Sequence, residues 1–120
     1  MATKKSPRVE NGIIKWYEGD AFYLYFNLLM GIKSEGLYPL ELSENDKVTV
    51  TFSTLQDRVI KIFEITETVA DKFPIYIDAK TTRIFRKGKY HYDIELHRNN
   101  DETIQTLLKC GEVEVEGCQK

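Results

Sequence analysis

Residues 90–97 alternate strictly between apolar and polar side chains, and no other feature of the sequence restricts the fold as strongly. The apolar positions are Tyr90, Tyr92, Ile94 and Leu96, and the polar positions between them are His91, Asp93, Glu95 and His97. Successive side chains of a β-strand point to opposite faces, so this pattern predicts a half-buried strand with one core face and one polar face.

The same period recurs along most of the chain. Phe22, Leu24 and Phe26 share one face of a predicted strand, and Val48, Val50 and Phe52 share a face of another. Counting all such segments predicts about seven or eight short strands, and no stretch is long and periodic enough for a helix that covers a sheet. The fold class predicted is therefore an all-β, antiparallel sandwich.

The composition and patterning place one domain at residues 13–116. Residues 1–12 contain Lys4, Lys5 and Arg8 with almost no apolar side chains, which is typical of a flexible arm. Residues 117–120 are expected to form a short C-terminal tail. A chain of 120 residues is of the size that builds a single core.

Charge and hydropathy argue against several partners. The 17 Lys+Arg and 19 Asp+Glu residues nearly cancel, so no global field would collect nucleic acid or an anionic membrane. The longest apolar run, residues 22–32, falls short of the roughly 20 residues needed to cross a bilayer. The basic N-terminus is not followed by an apolar signal segment, so we expect synthesis in the cytoplasm without a signal peptide.

The two cysteines are too few for a disulfide scaffold or a four-ligand zinc site. Cys110 is interpreted as a small strand residue and Cys118 as an exposed residue of the tail. The sequence therefore predicts no metal and no cofactor.

A glycine and two tyrosines open the strongest predicted strand. Gly88, Tyr90 and Tyr92 follow the pattern Gly-x-Tyr-x-Tyr. In immunoglobulin-like sandwiches a tyrosine at this position hydrogen bonds back to the preceding backbone and pins a loop that crosses between sheets. Tyr90 is the candidate for that corner, and Tyr92 would take the core position that a cysteine holds in antibody domains.

Four motifs occur in the order found in a known family. They are Gly-Asp-Ala-Phe-Tyr-Leu at 19–24, Val-Thr-Val-Thr-Phe at 48–52, the strand at 88–96, and Leu-Leu-Lys-Cys-Gly-Glu-Val-Glu-Val at 107–115. This layout resembles the N-terminal immunoglobulin-like domain of phage baseplate upper proteins and related prophage tail-associated domains. The resemblance implies an immunoglobulin-like sandwich and a non-enzymatic adaptor that binds other virion proteins or copies of itself, incorporated in a virion.

The polar face of residues 91–97 carries the chemical types of a metal or acid–base site. His91, Asp93, Glu95 and His97 all lie on it. Every second residue of a half-buried strand is expected to be polar, however, and neighbours on one face stand about 7 Å apart, so they seldom converge. No nucleophile motif or phosphate-binding loop accompanies them. We therefore expect no catalytic residue and no small-molecule substrate.

The basic residues near Phe85 form the one cluster that could attract nucleic acid. They are Arg83, Arg86, Lys87 and Lys89. Lysines and arginines that flank a solvated edge strand also prevent edge-to-edge aggregation. We favour that interpretation and expect no nucleic-acid partner.

Four aromatic residues near the N-terminus form the candidate interaction face: Trp16, Tyr17, Tyr23 and Tyr25. Tyr23 and Tyr25 alternate with the apolar positions of their strand and so point away from the predicted core. Exposed aromatic residues on a sheet serve protein interfaces and sugar-binding platforms alike, so a carbohydrate-binding or host-recognition module is the alternative function. The third interpretation is that the long connection at 31–45 covers this face.

Overall fold

The protein folds into strands, as predicted. The structure, a computed structural model, describes residues 5–32 and 35–117. The strands are β1 (Arg8–Glu10), β2 (Ile13–Tyr17), β3 (Phe22–Phe26), β4 (Leu29–Ile32), β5 (Gly36–Pro39), β6 (Lys47–Thr54), β7 (Val59–Ile65), β8 (Phe73–Ile77), β9 (Gly88–Arg98) and β10 (Thr103–Glu116), with one 3₁₀ turn (Thr81–Ile84) before β9. The all-β prediction is confirmed, and β1 and the β4–β5 pair bring the count in these residues above the predicted seven or eight.

One layer is a six-stranded sheet in the order β1-β2-β10-β9-β6-β7. The strongly alternating strand β9 lies inside this sheet, between β10 and β6, and its apolar residues are buried. Strand β2 pairs with β10 in parallel, so the sheet is mixed and not wholly antiparallel. These two strands are far apart in the chain, so no hairpin forces them to run in opposite directions.

The second layer is the two-stranded sheet of β3 and β8, in which Phe22 lies opposite Ile77. Its inward side chains pack on the large sheet. The ring of Phe22 lies 5.0 Å from that of Trp16, and the ring of Phe26 lies 5.8 Å from that of Tyr92. The core lies between these layers, which gives a sandwich-like arrangement.

The connection predicted at 31–45 contains a hairpin made by β4 and β5. Leu40, at the end of this hairpin, is buried, and Leu42 packs against the core. Leu29, Leu37 and Tyr38 are exposed on the hairpin. The hairpin is thus a third, separate sheet.

The folded part begins earlier than the predicted residue 13. Arg8–Glu10 forms β1, which pairs antiparallel with β2. The Arg8 guanidinium lies 2.8 Å from the Glu116 carboxylate at the end of β10. These contacts incorporate part of the predicted flexible arm into the sheet, because its backbone completes the edge beside β2. Residues 1–4 and 118–120, including Cys118, lie outside the described residues.

Candidate functional site

Three tyrosines form a row on the outer face of the β3–β8 sheet. Tyr23, Tyr25 and Tyr76 are 54%, 52% and 49% exposed. Ring centroids lie 5.9 Å apart between Tyr23 and Tyr25 and 4.6 Å apart between Tyr23 and Tyr76. The register of the strands makes this row, because Tyr23 lies directly opposite Tyr76 across the pair. We call these three residues the tyrosine ladder.

The ladder is open to solvent, so the described part of the connection at 31–45 does not cover it, contrary to the third interpretation. Tyr76 was missing from the predicted interaction face, although a signal for it exists in the sequence. Ile75 and Ile77 flank Tyr76 and are both buried, so the period of the strand turns Tyr76 outward. Only the pairing of β3 with β8 places it beside Tyr23.

The rings of the ladder turn their faces largely toward one another. The planes of Tyr23 and Tyr25 meet at 17°, and those of Tyr23 and Tyr76 at 29°. Stacked rings cover part of each other's faces, so a partner meets ring edges and phenolic groups together with the remaining face area. This arrangement provides apolar contact area together with hydrogen-bonding groups.

Trp16 does not belong to the interaction face, contrary to the prediction. It is fully buried, and its ring lies 5.5 Å from Phe85 and 6.2 Å from Phe52. Its indole Nε1 is also buried, with no hydrogen-bond partner among the described residues. The strand period decides this placement, because β2 buries Ile14 and Trp16 together. Trp16 is therefore a core residue.

Tyr17 points to the face of β2 opposite to that of Trp16 and is half-buried. The guanidinium carbon of Arg8 lies 5.9 Å from the centre of its ring. Tyr17 belongs to the six-stranded sheet, whereas the ladder lies on the two-stranded sheet. It therefore forms no part of the surface around Tyr23.

The residues predicted for the tyrosine corner lie at the start of β9. The Tyr90 hydroxyl donates a hydrogen bond to the carbonyl of Arg86, which is the geometry expected of the corner. Gly88 has a φ of 149°, which side chains rarely adopt. Tyr92 packs in the core at 5.9 Å from Phe52. Burial raises the pKa of both tyrosines.

The basic cluster lacks the aromatic residue that a nucleic-acid site would use for stacking. Phe85 is fully buried, with its ring 5.4 Å from Phe52 and 5.7 Å from Tyr90. The four basic residues are exposed on the 3₁₀ turn, on the following connection and on the first residues of β9, which is not an edge strand. Protection of an edge strand is therefore not their explanation.

The two histidines of β9 have separate partners. Nε2 of His91 lies 3.0 Å from the carboxylate of Asp57, on the turn between β6 and β7. His97 interacts with Asp101 at 2.8 Å and with the Thr49 hydroxyl at 3.2 Å. Six residues of strand separate the histidines by about 20 Å, so they cannot serve one site.

Comparisons with protein-family models, with curated proteins and with solved structures found no match. Among the described residues there is no helix long and apolar enough to cross a membrane.

Proposed function

We propose that this protein is a non-enzymatic structural adaptor that acts through protein–protein contacts made by the tyrosine ladder. The exposure of Tyr23, Tyr25 and Tyr76 in one row is the observation that carries the proposal. Tyrosine is enriched at the centres of protein interfaces, because it buries a large area at a small cost in side-chain entropy. A second copy of this chain or a neighbouring virion protein would bury these rings.

The ring geometry favours a protein partner over a sugar. A sugar-binding platform offers an open aromatic face on which a pyranose can stack. In the ladder, Tyr23 stacks on both Tyr25 and Tyr76, so neighbouring rings already cover part of its faces. Ring edges and hydroxyls suit side chains and backbone groups of a protein surface. The carbohydrate-binding module remains the second candidate, since Tyr25 and Tyr76 are each about half exposed and stack on no described ring besides Tyr23.

The setting proposed for the adaptor is the tail or baseplate of a phage or prophage particle. The order of the four sequence motifs and the Tyr90 hydrogen bond to Arg86 support this assignment. A virion adaptor holds its neighbours in place without chemistry, which agrees with a surface built from aromatic contacts. In this setting the protein is made in the cytoplasm and incorporated into the particle.

Self-association tests the proposal directly. The Tyr23→Ser/Tyr25→Ser double variant should keep the fold, because both residues lie on the outer face, and should weaken assembly about 30-fold, the effect of losing a hot spot of about 2 kcal/mol. Sedimentation velocity over a concentration series measures this change. Tyr38→Ser is the matched control, since Tyr38 is equally exposed but lies on the β4–β5 hairpin.

Two results would argue against the proposal. Equal association of wild type and double variant would remove the ladder as the interface. Binding of the wild type to a glycan array, lost in the double variant, would favour the recognition module. Circular dichroism of each variant verifies that the sandwich still forms.

A further inference from the structure

Three side chains with metal-binding groups converge on the polar face of the large sheet. One ring nitrogen of His91, one carboxylate oxygen of Asp93 and Sγ of Cys110 lie within 4.8 Å of one another. His91 and Asp93 come from β9, whereas Cys110 comes from the neighbouring strand β10. The cluster is remote from the tyrosine ladder, which lies on the other layer of the sandwich.

A bulge in β10 brings Cys110 into this cluster. The register of β9 and β10 shifts between Leu108 and Gly111, so Lys109 and Cys110 have no paired residue on β9. Cys110 takes a φ of 57°, and its backbone N–H donates to Asp93 Oδ1 at 2.7 Å. A regular strand would have continued the pairing through Cys110, so this placement depends on the bulge.

His91 is oriented as metal-binding histidines are. Nδ1 is buried and has no hydrogen-bond partner among the described residues. Nε2 lies 3.0 Å from the Asp57 carboxylate. A histidine that binds a metal through one nitrogen almost always donates its other N–H to a carboxylate or carbonyl, which fixes the ring. A buried nitrogen without a partner is rare in folded proteins, and a bound ion would satisfy it.

We propose that His91, Asp93 and Cys110 bind one zinc ion, with Nδ1 of His91, a carboxylate oxygen and the Cys110 thiolate as donors. Zinc accepts this mixture of nitrogen, oxygen and sulfur ligands in tetrahedral sites. Bond lengths of about 2.0 to 2.3 Å place such donors roughly 3.5 Å apart, so small side-chain rotations complete the geometry. A water molecule takes the fourth position, and binding releases the thiol proton of Cys110 to solvent.

Lys109 is the cation that competes with zinc. Its Nζ lies 3.4 Å from Asp93 Oδ2, and its side chain is 72% exposed. An exposed lysine can turn into solvent at little cost when zinc neutralises the carboxylate. We therefore expect Lys109→Ala to bind zinc more tightly than the wild type.

This site departs from the sequence-based expectation of no metal. That expectation rests on the spacing along β9, where neighbouring residues on one face stand too far apart to share an ion. The sequence could not show that Cys110 lies beside His91 and Asp93, because the bulge that places it there depends on the pairing of β10 with β9.

Cobalt binding tests the proposal under reducing conditions, because a thiolate–Co²⁺ bond gives a near-ultraviolet charge-transfer band. We expect the wild type to show this band and to lose it on addition of zinc. Cys110→Ser should abolish the band, and His91→Gln should weaken cobalt and zinc binding at least about 10-fold. Cys118→Ser and His97→Gln are the matched controls and should bind as the wild type does.

The thermal shift caused by zinc provides a second measurement that does not depend on the absorption band. Zinc at 100 times its dissociation constant should raise the Tm of the wild type by about 10 °C and leave Cys110→Ser unchanged. The proposal is overturned if the wild type shows neither the cobalt band nor a zinc-dependent shift. It is also overturned if the band persists in Cys110→Ser or disappears in Cys118→Ser.

Discussion

The hydroxyl of Tyr90 donates a hydrogen bond to the backbone carbonyl of Arg86 at 2.5 Å, four residues earlier in the chain. This bond closes the turn that leads from the 3₁₀ segment into β9. Gly88 lies inside the closed turn and supplies its positive φ. The side chain thus fixes the path by which the chain enters the central strand of the sandwich.

Tyr90→Phe should destabilise the domain by about 1 to 2 kcal/mol, because it removes the hydroxyl donor and leaves the Arg86 carbonyl without this hydrogen bond. Urea denaturation measures the free energy of unfolding. Tyr92→Phe is the matched control, since its ring is equally buried and its hydroxyl makes no hydrogen bond with the described residues. Equal effects of the two substitutions would show that the Tyr90 bond contributes no special stability.

Trp16→Ala should cost about 3 to 5 kcal/mol, the range for truncating a large buried aromatic side chain. Trp16 is fully buried among Phe22, Phe52 and Phe85. Circular dichroism must follow unfolding, because Trp16 is the only tryptophan of the chain. Tyr25→Ala serves as the surface comparison and should change stability by less than about 1 kcal/mol. A small effect of Trp16→Ala would contradict its place in the core.

Gly111→Ala should destabilise the protein by about 1 to 3 kcal/mol through overpacking. A Cβ atom at Gly111 would lie 2.5 Å from the Tyr92 ring, and a ring held in the core cannot easily retreat. A double-mutant cycle with Tyr92→Leu, followed by chemical denaturation, isolates this contact. The cost of Gly111→Ala should fall in the Tyr92→Leu background, and an unchanged cost would place its origin elsewhere.

Asp46 should make stability depend on acid pH. Backbone N–H groups of Ser43 and Asn99 donate to its carboxylate, and with the nearby Arg98 guanidinium they hold its pKa below the usual range. A lowered pKa in the folded state contributes stability above the unfolded pKa of about 4, and this contribution is lost as pH falls through the folded value.

Asp46→Asn should therefore lower the Tm at pH 7 and narrow its difference from the wild type below about pH 4. Thermal melts between pH 7 and pH 2 measure this convergence. Glu44→Gln is a suitable control, because Glu44 is exposed in the same connection. A difference that stays constant with pH would mean that ionisation of Asp46 does not stabilise the fold.

Period-two alternation predicted most of the strands, because it depends only on which side of a strand each residue faces. The pattern of residues 90–97 identified β9 and its buried face. The strand Arg8–Glu10 was not predicted, since its few residues show no sustained alternation of apolar and polar side chains. Its strand is held by pairing with β2 and by the ion pair between Arg8 and Glu116.

The candidate sites were only partly predictable. The outward direction of Tyr23 and Tyr25 followed from the strand period, whereas their neighbour Tyr76 is about 50 residues away along the chain. The predicted interaction face includes Trp16 because this residue is close to the tyrosines in sequence. The period of its own strand turns it into the core, opposite to the side that Tyr17 takes.

The sequence by itself determined the all-β class, the location of the main strands and the face on which each regular strand residue lies. These properties are local, since they arise from backbone geometry and from the burial of every second side chain. The tertiary structure alone decided which strands pair, in what register and with which bulges. That choice stacks Tyr23 on Tyr76 and brings Cys110 to His91 and Asp93, because such contacts depend on packing between segments that no local pattern encodes.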